Sequence, residues 1–535
     1  MPIIPALASS DRAQGSCEMD QAALRRSWAW TIAPWVAFVC MVGWVASRHE
    51  LWHDELQVFG LARESKSAAE VIANIRYDST PPLWHLGVYA VSQVSNHPRS
   101  MQVLHVVVAA LAAAVFLRYA PFTKLQQILF IFGYFPFIEY GVISRSYVSG
   151  ELFLFTFLAA FPWTRGRAVL AGASIFLMAQ SSFFGAVMAG ASAVAWFAYA
   201  RRRVAFDSGD GRWTIGGLAI AAAGLIIAAT FVRQHPDAAA HRHWDFINFW
   251  QALRAGTIPW RTLVPIPAWR SEFWNTNFLD TFPSLDYSRD PFGFLLQCAL
   301  SVALLAMIVW FLRKQPIALG FYLLITLSCL AFFYTKKLGY LRHHGHLYLA
   351  FIGAAWMSSI FESVPGDSDP TAGFKRGRGA RFLTTILALN VIATLVASVI
   401  ECQGQFAADE AAAEWIVKNG YQDHLLVTGP GVAALLDRDV YLMRNQRFGR
   451  FYYYREPWAN PDPADFAALA DRLERESGKP TLFVLPTDPE TNFRDDAPVK
   501  GFRRLTAWKN SLLPHDNIVI LDRERPAAAP PPPAH

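Results

Sequence analysis

Long apolar runs alternate with short charged clusters along most of this chain, and their spacing predicts its architecture. Windows with almost no charge recur at 28–47, 101–117, 125–140, 148–162, 168–179, 184–199, 214–232, 292–312, 317–334, 347–361 and 382–400. Each is close to the length a helix needs to cross a hydrocarbon core. The pattern predicts a polytopic α-helical membrane protein with about eleven transmembrane helices. Beyond residue 400 the pattern changes. Short β-rich runs at 425–428, 440–443, 481–485 and 518–521 alternate with helical ones at 407–419 and 463–477, which predicts a small soluble α/β domain. The expected division is a disordered cytoplasmic tail (1–24), a membrane domain (25–400), an extracytoplasmic α/β domain (401–525) and a disordered Pro/Ala tail (526–535).

Composition agrees with a membrane protein: 53% of residues are hydrophobic and only 17% are charged. The formal charge of +6 does not point to nucleic acid, because the basic residues fall in short clusters between apolar segments. Those clusters report topology. Arg25 with Arg26, Arg118 with Lys124, Arg165 with Arg167, Arg201 to Arg203, Arg313 with Lys314, and Lys375 to Arg381 can all be placed on the cytoplasmic side. This parity requires that 83–95, which is short and interrupted by His85, Ser92 and Gln93, lies on the outer face as an interfacial helix. The loops carrying Asp54, Arg145 and 336–346 then share the outer surface with the C-terminal domain. In a bacterial-type inner membrane that surface faces the periplasm. The five cysteines lack metal or disulfide spacing and read as small core residues.

Candidate chemistry lies at the outer boundary. Asp54 and Glu55 follow the first span directly, flanked by Trp52 and His53, and Tyr77, Asp78, Pro81, Pro82 and His85 close the same outer loop. A carboxylate there can take a proton from an acceptor hydroxyl. The same pair is equally compatible with a solvated loop, or with ion pairs to Arg48 or Arg76. Glu139 and Arg145 sit near the outer end of the third span, where they can lock two helices as a salt bridge or hold an anionic ligand. The stretch from Lys336 to His346 is basic on the side where positive charge is disfavoured. A membrane-embedded phosphate would account for Arg342, His343, His344 and His346 there, and so would lipid headgroups. The long loop 233–290 is rich in tryptophan (Trp244, Trp250, Trp260, Trp269, Trp274), suited either to the interface or to stacking on sugar rings. Its His241 and His243 lack a third ligand, so ligand spacing supports no metal. Thr428 to Gly431 reads as a turn, not a phosphate-binding loop.

Three motifs carry a resemblance: Trp52-His-Asp-Glu55 after the first helix, Pro81-Pro-Leu-Trp84, and Ser144-Arg-Ser-Tyr147 at the next outward site. Together they resemble the GT-C glycosyltransferases, particularly bacterial relatives of the protein mannosyltransferases and lipid A aminoarabinose transferases. The resemblance implies a polyprenyl-phosphate sugar donor, Asp54 as catalytic base with Glu55 in support, and a donor site shaped by Pro81, Pro82 and Arg145. His53, Tyr77, Asp78, His85, Glu139 and Tyr147 complete the candidate substrate site. Members often carry His or Lys before the Pro-Pro pair; this chain has Thr80. The expectation is an inverting transfer to an acceptor hydroxyl on a lipid, glycan or protein at the outer membrane face, with no cofactor assigned. The rival is a transporter or flippase of a lipid-linked saccharide.

Overall fold

The computed structural model describes residues 28–233, 235–238, 249–269, 274–280, 291–362, 377–459, 462–487, 499–513 and 516–524. Both predicted tails, Arg25, Arg26, His241, His243, Trp244 and Lys375 lie outside the described residues. All eleven apolar windows carry helix. Among the described residues, seven helices are long and apolar enough to cross a membrane: α1 (Trp28–Arg48), α5 (Arg99–Tyr119), α9 (Phe183–Arg203), α10 (Gly209–Val232), α12 (Pro291–Leu312), α13 (Pro316–Thr335) and α15 (Arg378–Gln403). Between α1 and α5 lie three shorter helices, α2 (His53–Glu64), α3 (Ala68–Ile75) and α4 (Leu83–Ser92). At ten residues, α4 is too short to cross, as the charge parity requires.

The remaining windows depart from simple spans. The window at 125–140 is broken into α6 (Lys124–Ile131) and a wholly buried π-helical turn, Phe135–Val142. Pro136 lies in its first turn and has no N–H to donate. After this wide turn the backbone leaves helical geometry at Ile143, which brings Ser144 and Arg145 toward α2. Helices α7 (Tyr147–Ala159) and α8 (Gly166–Ala179) are short, and α14 (Leu341–Glu362) is buried along almost its whole described length. Helices α8 and α10 approach closely because glycines line the contact: a Cβ on Gly172 would collide with the Gly217 backbone, and one on Gly224 with Phe176. An amphipathic helix that the sequence pattern had not predicted, α11 (Phe249–Leu263), packs against α12, α13 and α14.

The soluble domain carries a six-stranded sheet in the order β3-β2-β1-β4-β6-β5. Strands β1 (Leu425–Val427), β2 (Val440–Leu442) and β4 (Thr481–Pro486) run parallel. Strand β3 (Arg447–Gly449) pairs antiparallel with β2 and β6 (Ile518–Arg523) antiparallel with β4, and β5 (Phe502–Trp508) pairs antiparallel with β6 at the edge. One face is covered by α18 (Phe466–Ser477) through Phe466, Ala470 and Leu473. The other is covered by α16 (Asp409–Lys418) and by a short helix α17 (Pro430–Leu435), which Gly429 caps. The predicted turn at Thr428 to Gly431 therefore starts a helix.

This domain is tied to α2 at close range. Gln57 exchanges two hydrogen bonds with the Tyr452 backbone, at 2.9 and 2.8 Å, and Arg63 pairs with Asp437 at 3.2 Å. Glu64 accepts from the Arg450 N–H at 2.9 Å and from the Tyr453 hydroxyl. Gly60 is required for this approach, since a Cβ there would stand 2.5 Å from the Arg450 carbonyl oxygen. Gly60→Ala should cost about 1–3 kcal/mol of docking through overpacking. Faster limited proteolysis of the soluble domain in detergent is the expected readout; unchanged protection would show that the contact tolerates the extra carbon.

Candidate active site

Helix α2 begins the site. Trp52 is its N-cap, and Glu55 at the third helical position accepts from the Trp52 N–H at 3.3 Å, closing a capping arrangement. Glu55 is completely buried, and its other contacts are with the Ser144 N–H and, at 3.1 Å, with His49 Nε2. His49 Nδ1 reaches Glu401 of α15 at 2.7 Å. Burial would discharge His49, but the two carboxylates outweigh it and push its pKa up to about 10. Burial likewise opposes ionisation of Glu55, and His49 with the backbone donors holds its carboxyl below the usual range. Glu55 thus fixes the start of α2 against the Ser144 turn, and its neighbour is left to face outward.

That neighbour, Asp54, keeps 29% of its side chain exposed. Its Oδ2 lies 3.1 Å from Arg342 Nη2 and 3.5 Å from Arg145 Nη1, while Arg145 also donates to the Asp54 carbonyl at 2.8 Å. His53 Nε2 stands 3.4 Å from its Oδ1. Burial acts to raise the Asp54 pKa, but Arg145, His53 and Arg342 together hold the carboxyl well below the ordinary range. Arg145 does not pair with Glu139: that carboxylate, fully buried, accepts from Tyr134 at 3.0 Å and from Trp274 Nε1 at 2.8 Å.

Arg342 is 4% exposed and stands among aromatic rings, 4.9 Å from Trp52, 5.3 Å from Trp274 and 4.7 Å from Tyr340. Its Nε–H has no hydrogen-bond partner among the described residues. Asn275 accepts from the Leu341 N–H at 2.8 Å, which fixes the start of α14 beside Trp274. Among the described loop tryptophans it is Trp274 that reaches this cluster, while Trp250 and Trp269 are exposed.

The three histidines after Arg342 have other roles. His343 Nδ1 accepts from the Tyr340 N–H at 2.8 Å, and His344 and His346 hydrogen bond to the Leu338 and His343 carbonyls, both at 2.9 Å. Their rings pack against Phe184, Phe333 and Tyr147. Only Arg342 of the basic stretch touches Asp54. In the outer loop, burial pushes the Asp78 carboxyl up to about 6, against the pull of Arg145, and the Thr80 hydroxyl donates to the Asp78 carbonyl at 3.3 Å. Burial, and then Arg145, lower His85 to about 3, so it is neutral and supplies no positive charge. Tyr77 stacks near His235 at 4.5 Å, and Pro81 and Pro82 lead into α4, whose first N–H donates to the Gln180 carbonyl at 3.3 Å. Among the described residues no group of three or more His, Cys, Asp or Glu is arranged to hold a metal ion.

A bundle of apolar helices with broken and short members, a helix bearing the acidic motif and a small docked α/β domain make up a fold that is shared with a solved membrane protein. One solved structure it matches is ArnT from Cupriavidus metallidurans bound to undecaprenyl phosphate. That chain is 12% identical, superposes with a TM-score of 0.50, and the match covers 94% of this chain and all of that one. At this identity the likeness is one of fold. No family model matches the chain, and no curated protein matches it.

The His49 bridge gives a stability test. Because folding raises the His49 pKa from 6.5 to about 10, its contribution is complete below 6.5 and disappears as pH rises through about 10. His49→Ala should cost about 3–5 kcal/mol by stranding two buried carboxylates. Thermal unfolding in detergent checks both: the wild-type midpoint should fall through that alkaline window, and the variant should start lower and lose less there.

Proposed function

We propose that this protein is an inverting glycosyltransferase that moves a sugar from a polyprenyl-phosphate donor to an acceptor hydroxyl at the outer face of a bacterial inner membrane. The observation that carries this reading is one partly exposed carboxylate, Asp54, held between the buried guanidinium of Arg342 and the partly buried one of Arg145 at the end of a membrane span. The fold shared with an ArnT solved with undecaprenyl phosphate supports the donor class. In the proposed reaction Asp54 takes the proton from the acceptor hydroxyl as its oxygen attacks the anomeric carbon. The bond from that carbon to the phosphate oxygen breaks on the opposite face, and polyprenyl phosphate leaves with the electron pair. Arg145 and Arg342 receive the growing charge. The phosphate then competes with Asp54 for these guanidiniums, and the open Nε–H of Arg342 offers it a further donor.

Glu55 supports the base by fixing α2. Asp78, Tyr77, Pro81, Pro82 and His85 shape one wall, Glu139 holds Trp274 beside Arg342, and Tyr147 with His343, His344 and His346 packs behind it. The catalytic unit is the membrane domain 25–400, with a cytoplasmic tail at 1–24, a periplasmic α/β domain at 401–525 and a Pro/Ala tail at 526–535. The acceptor is a lipid, a glycan or a protein.

Asp54→Asn should lower sugar transfer by about 10²–10⁴-fold while the protein still inserts and accumulates in the membrane. A flippase needs no base, so full turnover in that variant would sink the proposal. Arg342→Ala should raise the apparent KM for the lipid-phosphate donor by about tenfold or more and leave the acceptor KM within about threefold. Assays of membranes with varied donor test this, and an unchanged donor dependence would remove Arg342 from the phosphate site.

A further inference from the structure

The site includes a group that the membrane domain does not supply. Asp516 lies in the turn before β6 of the soluble domain, and its Oδ1 is 2.6 Å from His53 Nδ1. Only 5% of its side chain is exposed. The backbone of Asp516 is held at both groups, since its N–H donates to the Leu513 carbonyl at 2.9 Å and its carbonyl accepts from the Ala408 N–H at 3.1 Å. On the other side of the ring, His53 Nε2 faces Asp54 Oδ1 at 3.4 Å. The Trp52 ring meets the imidazole edge-on at 4.7 Å, and 45% of the His53 side chain stays exposed. A continuous chain of polar contacts therefore runs from the soluble domain through His53 to the carboxylate assigned as base.

We propose that Asp516 is a positioning residue for the transfer reaction: it orients the His53 imidazolium so that Nε2–H points at Asp54, and the soluble domain thereby sets the direction and charge of the base. This rests on the assignment of Asp54 given above. An acceptor carboxylate at Nδ1 commits that nitrogen to donating, which turns Nε2 toward Asp54. The imidazolium is the third cation on Asp54, and it differs from Arg145 and Arg342 in having a dedicated counter-ion of its own. If the donor phosphate draws the two guanidiniums away, His53 still holds Asp54 ionised and aimed.

The charged groups around the ring define the pH behaviour. Asp54 faces it from α2, Asp516 from the turn before β6, and Asp409 from the start of α16, with Glu410 and Glu50 beside Asp409. Arg145 and Arg342 stand on the far side of Asp54. Burial works against the charged ring, but Asp516 and Asp54 hold His53 well above its ordinary range. Asp409 is pushed up to about 7, by burial first and by Asp516 next. The share of activity that depends on the imidazolium is therefore present through neutral pH and is lost as pH rises through the raised His53 pKa. Neutralising Asp516 must move that loss to lower pH.

The test uses the full-length protein with Asp516→Asn, which keeps an acceptor oxygen and removes the charge. The alkaline limb of kcat should move down by about one pH unit, with kcat lowered about tenfold and the donor KM within about threefold of wild type. Carbethoxylation of His53 by diethyl pyrocarbonate, followed by peptide mass spectrometry, should become rapid at a correspondingly lower pH, because only the neutral ring reacts. A uniform loss of activity with the limb and the labelling pH unmoved would make Asp516 a purely structural residue and overturn the proposal. His53→Gln is the second arm: it should abolish the alkaline limb, and persistence of that limb would overturn the proposal even if Asp516→Asn failed to accumulate. The labelling requires no turnover. Absence of sugar transfer by the wild type would therefore defeat the proposed function while the labelling still decided whether Asp516 governs His53.

Discussion

A carboxylate kept ionised at the edge of a bilayer must be given counter-charges, and most of the outer half of this protein is organised to provide them for Asp54. Water cannot do so alone, because the group is more than two-thirds covered, with 29% of its side chain exposed. Arg145 arrives from the turn that follows the π-helical segment. Arg342 arrives on the first turn of α14, held there by Asn275 and by the rings of Trp52, Trp274 and Tyr340. His53 comes from the same helix as Asp54 and is held by Asp516. Remove any of these placements and the others bear a buried charge without its partner.

The same constraint explains why two adjacent acids have different surroundings. Glu55 is turned inward, where it caps α2 and ties the Ser144 turn to His49 and through it to α15. The inward acid fixes the frame, and the outward acid is left accessible to a ligand. Docking of the soluble domain belongs to this frame as well. The glycine contact at Arg450 and the paired bonds between Gln57 and Tyr452 hold α2 from above, while the His49 bridge holds it from below. A helix clamped on both sides keeps its first turn still, which is what a positioned base needs.

Much of this was legible in the sequence, because hydrophobic length and motif spacing are local properties. The eleven apolar windows, the shortness of the helix within 83–95 and the α/β character of the C-terminal domain follow from composition over short windows, and Asp54, Arg145 and Arg342 stand out by charge in an apolar setting. The partnerships were not legible. Glu139 and Arg145 are six residues apart and invite a salt bridge, yet the π-helical turn sends them to different neighbours. His343, His344 and His346 look like anion ligands beside Arg342, but helical periodicity turns their rings away and their nitrogens bond to nearby backbone. Trp274 was one of five loop tryptophans with nothing to distinguish it, and Asp516 pairs with a residue 463 positions away. The edge strands β3 and β5 and the helix α11 do not stand out in the sequence because polar, amphipathic segments give a weaker signal than buried ones.

The central claim is that Arg145 and Arg342 form the phosphate site and that Asp54 occupies them when no donor is bound. Binding of undecaprenyl phosphate to the purified protein, compared between wild type and Asp54→Asn, tests this most directly. Removing the competing carboxylate should tighten binding, by about tenfold in Kd. Unchanged or weaker binding in the variant would contradict the account.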